Sequence, residues 1–156
     1  MTGPVFVDAN VLLYLQDQAE PAKRTRAHAW LDVLWRQRLG RTSTQVLSEY
    51  YVNAVRKHRI SAEVAWSQVE LYFAWDPLPV GTTVMVEARE VQQRHRLSWW
   101  DSLVVAAARL QGCVLLLTED MQDGASFGTL QVRSPFTLAA EQPKSRYEIQ
   151  PILSFA

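Results

Sequence analysis

Two short apolar runs without polar interruption constrain this chain more than any other feature. Val5-Phe6-Val7 stops at Asp8, and Val114-Leu115-Leu116-Leu117 stops at Thr118-Glu119-Asp120. Strands that read as continuous apolar runs, rather than alternating ones, are covered on both faces, which is the habit of parallel sheets. Each run therefore predicts a central parallel strand with a carboxylate at or just beyond its carboxyl end. Leu130-Gln131-Val132 is a third strand candidate, with weaker ones at Arg41 to Ser43 and Asp76 to Leu78.

Between these runs the apolar period becomes helical. Ala27, Trp30, Leu31, Leu34 and Trp35 form one stripe between Ala22 and Arg38. Val46, Leu47, Tyr50, Tyr51 and Ala54 form a second over Gln45 to Lys57, and Ala65, Trp66, Val69, Tyr72 and Phe73 a third over Ser61 to Trp75. A thinner, more charged segment surrounds Val84, Ala88 and Val91. The last helix is predicted from about Trp99 to Gln111, with Trp100, Leu103, Val104, Ala107 and Ala108 facing inward and Gly112 as its stop. Short strands separated by helices give an α/β fold with a central, mainly parallel sheet flanked by helices.

A chain of 156 residues with 48% apolar content is enough for one domain with a real core. The pattern fades after Pro135, so the domain is placed at residues 1–137 and a tail at 138–156. Sixteen basic and sixteen acidic residues cancel, which excludes a general polyanion-coating protein but not a local basic patch. The apolar runs are far shorter than the roughly 20 residues of a membrane span, so no membrane association is expected. Asp8 interrupts the place where an export signal would need an apolar core, and Cys113 is the only cysteine. Both features suit a reducing cytoplasm, where the protein is expected to reside.

The acids carry the chemistry. In an open α/β sheet, functional groups gather at the carboxyl ends of strands, where helix N-termini also lie. Asp8 and Asp120 follow strands, Glu49 lies in the first turns of the second long helix, and Asp101 lies in the first turn of the last. All four can meet at one sheet edge. Four carboxylates in one pocket repel unless protons or cations intervene. A hard divalent ion such as Mg²⁺ or Mn²⁺ suits an all-oxygen site, where it lowers the pKa of a bound water and neutralises phosphate oxygens. Duller explanations exist for each acid. Ser98 to Asp101 is a capping box, Glu49 flanks an apolar stripe, Glu119 points away from Asp120, and Asp123-Gly124 reads as a turn. The weight lies in the combination.

At these residues the sequence resembles the PIN domain family. Phe6-Val7-Asp8-Ala9-Asn10 is similar to its opening strand, and Ser43 to Glu49 to its second acidic position. Ser98-Trp99-Trp100-Asp101 is similar to its third, Thr118-Glu119-Asp120 to its closing Ser/Thr-x-Asp, and Arg133-Ser134-Pro135-Phe136 to the end of its last strand. The resemblance spans roughly residues 4 to 136, with Ser134 where the family often has Asn. It implies a PIN-like fold and a Mg²⁺- or Mn²⁺-dependent ribonuclease of the length of VapC-type toxins, with an antitoxin as partner. Carried over, Asp8, Glu49, Asp101 and Asp120 are the metal-binding acids, with Asn10 and Thr118 in support and Asp123 at the edge of that group.

An RNA substrate needs cations beside the acids. Three clusters offer them: Arg36, Arg38 and Arg41; Arg56 to Arg59; and Arg94, His95 and Arg96. The third lies just upstream of Asp101, so Arg94 and Arg96 are the expected substrate contacts. Most of the six tryptophans fall on helical stripes and read as core or as a homodimer surface, while Trp99 flanks the acids as the stacking candidate. His28, His58 and His95 share no zinc spacing. Two rivals stand beside the nuclease. A phosphoryl-transfer enzyme with an aspartate nucleophile wants a second acid where Asn10 stands and a lysine partner. A PIN-like module that binds RNA or protein without cutting needs neither.

Overall fold

A computed structural model describes residues 3–140. Its sheet has five strands in the order β2-β1-β3-β5-β4, parallel except where β4 meets β5. The two apolar runs form the middle of it. β1 (Val5–Val7) pairs with β3 (Leu115–Leu117) in register Val5 to Leu115, and all six residues are buried. β2 (Gly40–Arg41) flanks β1, and β5 (Leu130–Arg133) flanks β3. β4 (Ser126–Phe127) turns back on β5 through Gly128, whose φ of 65° suits a residue without Cβ. The weak candidate near Leu78 is a single parallel bridge to Ser43 rather than a strand.

Among the described residues, six α-helices cover the sheet: α1 (Ala9–Tyr14), α2 (Pro21–Gln37), α3 (Thr44–Arg56), α4 (Ala62–Tyr72), α5 (Thr82–His95) and α6 (Trp99–Leu110). Their starts follow the capping rule, because Ser43, Ser61 and Ser98 each accept a backbone N–H three residues on. α4 ends in a short 3₁₀ turn, Phe73–Trp75. α1 has too few residues to show a period, so nothing in the apolar pattern announced it. α6 is wrapped on all sides: Ser102 through Ala108 are all buried, more than the one stripe expected. Gly112 takes φ 70° after this helix, as its place in the sequence predicts.

One expectation fails at the start of α6. Trp100 is 63% exposed rather than inward-facing. The stripe is helically correct, but the first turn lies at the mouth of a cavity where no element covers position 100. At the other end, the chain stays attached past residue 137. Trp30 Nε1 donates to the Leu138 carbonyl at 2.9 Å, and Leu138 and Ala140 pack on the core. Residues 141–156, most of the expected tail, lie outside the described residues.

Candidate active site

From β1 the chain proceeds to one side of the sheet, to β2, and from β3 to the other, to β5. The β1/β3 pair is thus the switch point of the sheet, and a crevice opens beyond the carboxyl ends of such a pair. Asp8 and Thr118 are the next residues after the two strands. Asp8 N–H still continues the ladder to the Leu117 carbonyl at 3.1 Å. The Thr118 hydroxyl donates to Asp8 Oδ2 at 2.9 Å, and Ala9 N–H donates to Oδ1 at 2.8 Å. Asp8 is 7% exposed.

Asn10, on α1, binds this pair to the next acid. Its Nδ2 donates to Thr118 Oγ1 at 2.9 Å and to Asp120 Oδ2 at 3.1 Å, and more weakly to Asp8 Oδ2 at 3.4 Å. Its Oδ1 accepts from Glu119 N–H at 3.2 Å. Thr118 Oγ1 in turn accepts from Asp120 N–H at 3.1 Å. One amide and one hydroxyl therefore orient two carboxylates from separate strands.

Glu49 and Asp101 arrive from helices. Glu49 lies in the second turn of α3, where Gln45 Nε2 reaches both Glu49 Oε2 and the Trp100 carbonyl, each at 3.4 Å. Asp101 rides on the first turn of α6, its N–H held by Ser98 Oγ at 3.1 Å. Asp8, Glu49, Asp101 and Asp120, with Asn10, line a single cavity of about 350 Å³. The electrostatics reflect the gathering. Burial pushes the Asp8 carboxyl up to about 6 against the lowering pull of its two hydrogen bonds, with Glu49 and Asp120 adding to the rise. Burial also raises Glu49, to which Asp101 and Asp120 add, and raises Asp101, to which Asp120 adds.

These hard oxygen donors fit a divalent cation by their chemistry. Among the described residues, no three His, Cys, Asp or Glu side chains stand close enough to form a ready-made metal cage.

The other expected residues fall elsewhere. Asp123 does not line the cavity. It accepts from Ser134 N–H at 2.9 Å and Thr137 Oγ1 at 2.7 Å and pairs with Arg133 Nε at 3.0 Å, tying down the chain after β5. Arg94, Arg96 and Trp99 are also absent from the lining. The end of α5 leans toward the far sheet edge, where His95 packs edge-on against Phe127 of β4 at 4.8 Å. Lys57 and His58, from the second basic cluster, line the cavity instead, together with Trp100, Gln45 and Asn53. The basic residues that reach the cavity thus come from the second of the three clusters read in the sequence, not from the third, where they were expected. Glu119 also reaches the lining, but its carboxylate is held by Lys23 Nζ at 3.1 Å and the Tyr14 hydroxyl at 3.3 Å.

The sequence matches the PIN domain family over residues 5–122. Among solved structures, VapC20 of Mycobacterium tuberculosis, a toxin that cleaves the sarcin–ricin loop, is 25% identical with a TM-score of 0.57. That match covers 72% of this chain and 86% of the other. A toxin–antitoxin complex from Klebsiella pneumoniae contains a chain that is 18% identical with a TM-score of 0.54. It covers 84% of this chain and 97% of the other, a likeness of fold alone. No curated protein matches.

Proposed function

Because the chain belongs to the PIN domain family, we propose that it is an endoribonuclease that hydrolyses RNA phosphodiesters with a divalent cation at the carboxylate cavity. The observation that carries this reading is the meeting of four acids from four elements at the sheet's switch point. Mg²⁺ or Mn²⁺ bound there would supply charge neutralisation at the phosphate and a lowered pKa for a bound water. Asp8, Glu49, Asp101 and Asp120 would hold it. The chain's own residues do the orienting: Ala9 N–H and the Thr118 hydroxyl fix the Asp8 carboxylate, and Asn10 fixes Asp120. Each carboxylate oxygen so engaged retains a lone pair for a ligand.

The biological role follows as the toxin of a toxin–antitoxin pair, supported by the likeness to VapC20. An antitoxin and a second copy of the chain both need apolar surface, and two such faces are exposed. One runs over α3 and α4 with Val52, Trp66, Leu71 and Phe73, and the other over α5 and α6 with Met85, Val86 and Leu110. A module that binds RNA or protein without cutting is the second reading, favoured by these exposed apolar faces.

Cleavage of structured and single-stranded RNA with Mg²⁺, Mn²⁺ or EDTA, beside Asp8→Asn, separates the two. Metal-dependent cutting lost in the variant supports the nuclease. RNA retention without cutting under any metal transfers the case to the binding module.

A further inference from the structure

Five of the six tryptophans pack against other aromatic rings or the core, Trp66 with one side left on the exposed α3–α4 face. Trp30 is buried with its N–H bonded, and Trp35 and Trp75 pack against each other and Tyr72. Trp66 meets Tyr51 and Phe73 edge-on, and Trp99 packs against the core. Trp100 alone is mostly exposed and, among the described residues, joins no aromatic pair. A large apolar side chain left in water is unfavourable by its area, so its position carries information. It stands at the rim of the acidic cavity, one residue before Asp101.

The same cavity has an electrostatic problem. Its acids repel a polyanion, and Lys57 and His58, just beyond the end of α3, are the basic groups that line it. Lys57 has no ion-pair partner among the described residues. An aromatic face and a free ammonium on one acidic cavity are the two elements that hold a single strand: a surface for a base and a counter-charge for its phosphate.

We propose that Trp100 and Lys57 position the substrate, Trp100 by stacking an unpaired base beside the scissile phosphate and Lys57 by binding a neighbouring phosphate. This deepens the ribonuclease reading and rests on it. A base inside a duplex is stacked on both faces and offers none to Trp100, so this pair of residues acts on an unpaired segment of the RNA.

The test uses the full chain carrying Asp8→Asn to prevent cutting, and a labelled pool of random-sequence single-stranded RNA beside paired RNA of the same length. Adding Trp100→Ala should weaken single-strand binding roughly tenfold, while Trp100→Phe retains most of it. Duplex binding should not respond to either change. Lys57→Ala should lower the salt dependence of binding by about one phosphate contact. Thermal unfolding should be unchanged in the Trp100 variants, because so exposed a side chain contributes little to the core. Equal loss on duplex and single strand, or no loss in Trp100→Ala while the parent chain still cleaves RNA, overturns the stacking role alone. A parent chain that neither binds nor cuts either RNA overturns the ribonuclease reading and this inference with it.

Discussion

At the scale of the residue, Asp8 is held at odds with its own charge. Burial moves its carboxyl from 3.8 to about 6 in the folded chain, so folding favours the protonated form. Between about pH 4 and pH 6 the folded state then binds more protons than the unfolded one, and stability falls as pH rises through that window. At neutral pH the buried charge costs about 3 kcal/mol at 1.36 kcal/mol per unit. The expected result in EDTA is a melting temperature that declines over this window. Asp8→Asn should lose much of that slope and be no less stable than the parent near neutral pH, while losing cleavage. A variant with unchanged slope would sink this account of the site. Asp123 is the opposite case, lowered by the Ser134 N–H, the Thr137 hydroxyl and Arg133, all away from the cavity. Asp123→Ala should therefore cost stability, about 1–3 kcal/mol, and leave cleavage per folded molecule intact. The position of Asp8 at the end of β1 was legible in the sequence, because a charge closing an apolar run marks where the strand stops. The turn read at Asp123-Gly124 is present, but the partners that hold its carboxylate, Ser134 and Thr137, come close only once β4 and β5 have turned back.

At the scale of the element, the site depends on how helices are anchored beside the strands. Gly40, at the start of β2, lies directly beneath the Trp75 ring: a Cβ there would stand 2.4 Å from ring carbons. Trp75 cannot swing away freely, because Trp35 and Tyr72 hold it at 5.1 and 5.0 Å. Gly40→Ala should cost roughly 1–3 kcal/mol in chemical denaturation, by forcing the end of α4 away from the sheet. The start of α6 shows where period alone misleads. The α6 stripe includes Trp100 as faithfully as Leu103, but inwardness also requires a neighbour to cover the turn. The basic clusters repeat the lesson. Arg94 and Arg96 precede Asp101 closely in sequence, yet Lys57 lies nearer in space, because α3 ends at the cavity while α5 ends toward β4.

At the scale of the whole molecule, four separate elements converge on one cavity, so a ligand shared by them couples to global stability. A divalent cation at a hundred times its dissociation constant should add about 2.7 kcal/mol. For a domain of this size that is a rise on the order of 5–10 °C in melting temperature. The increment should vanish in Asp8→Asn and in EDTA, and equal stabilisation of the variant would remove the cation from this cavity. The parallel sheet, the cap at Ser98, and the acids at strand ends were legible from the sequence, because each is marked by residues close together in the chain. Short range chemistry of that kind is written in local order. Which groups share the cavity was decided only by the tertiary structure. The meeting of α3 and α6 with the ends of β1 and β3 at one cavity brings Lys57, Gln45 and Trp100 beside the acids and leaves Arg94, Arg96, Trp99 and Asp123 outside. Proximity across such long loops depends on the packing of whole elements, which no local spacing encodes.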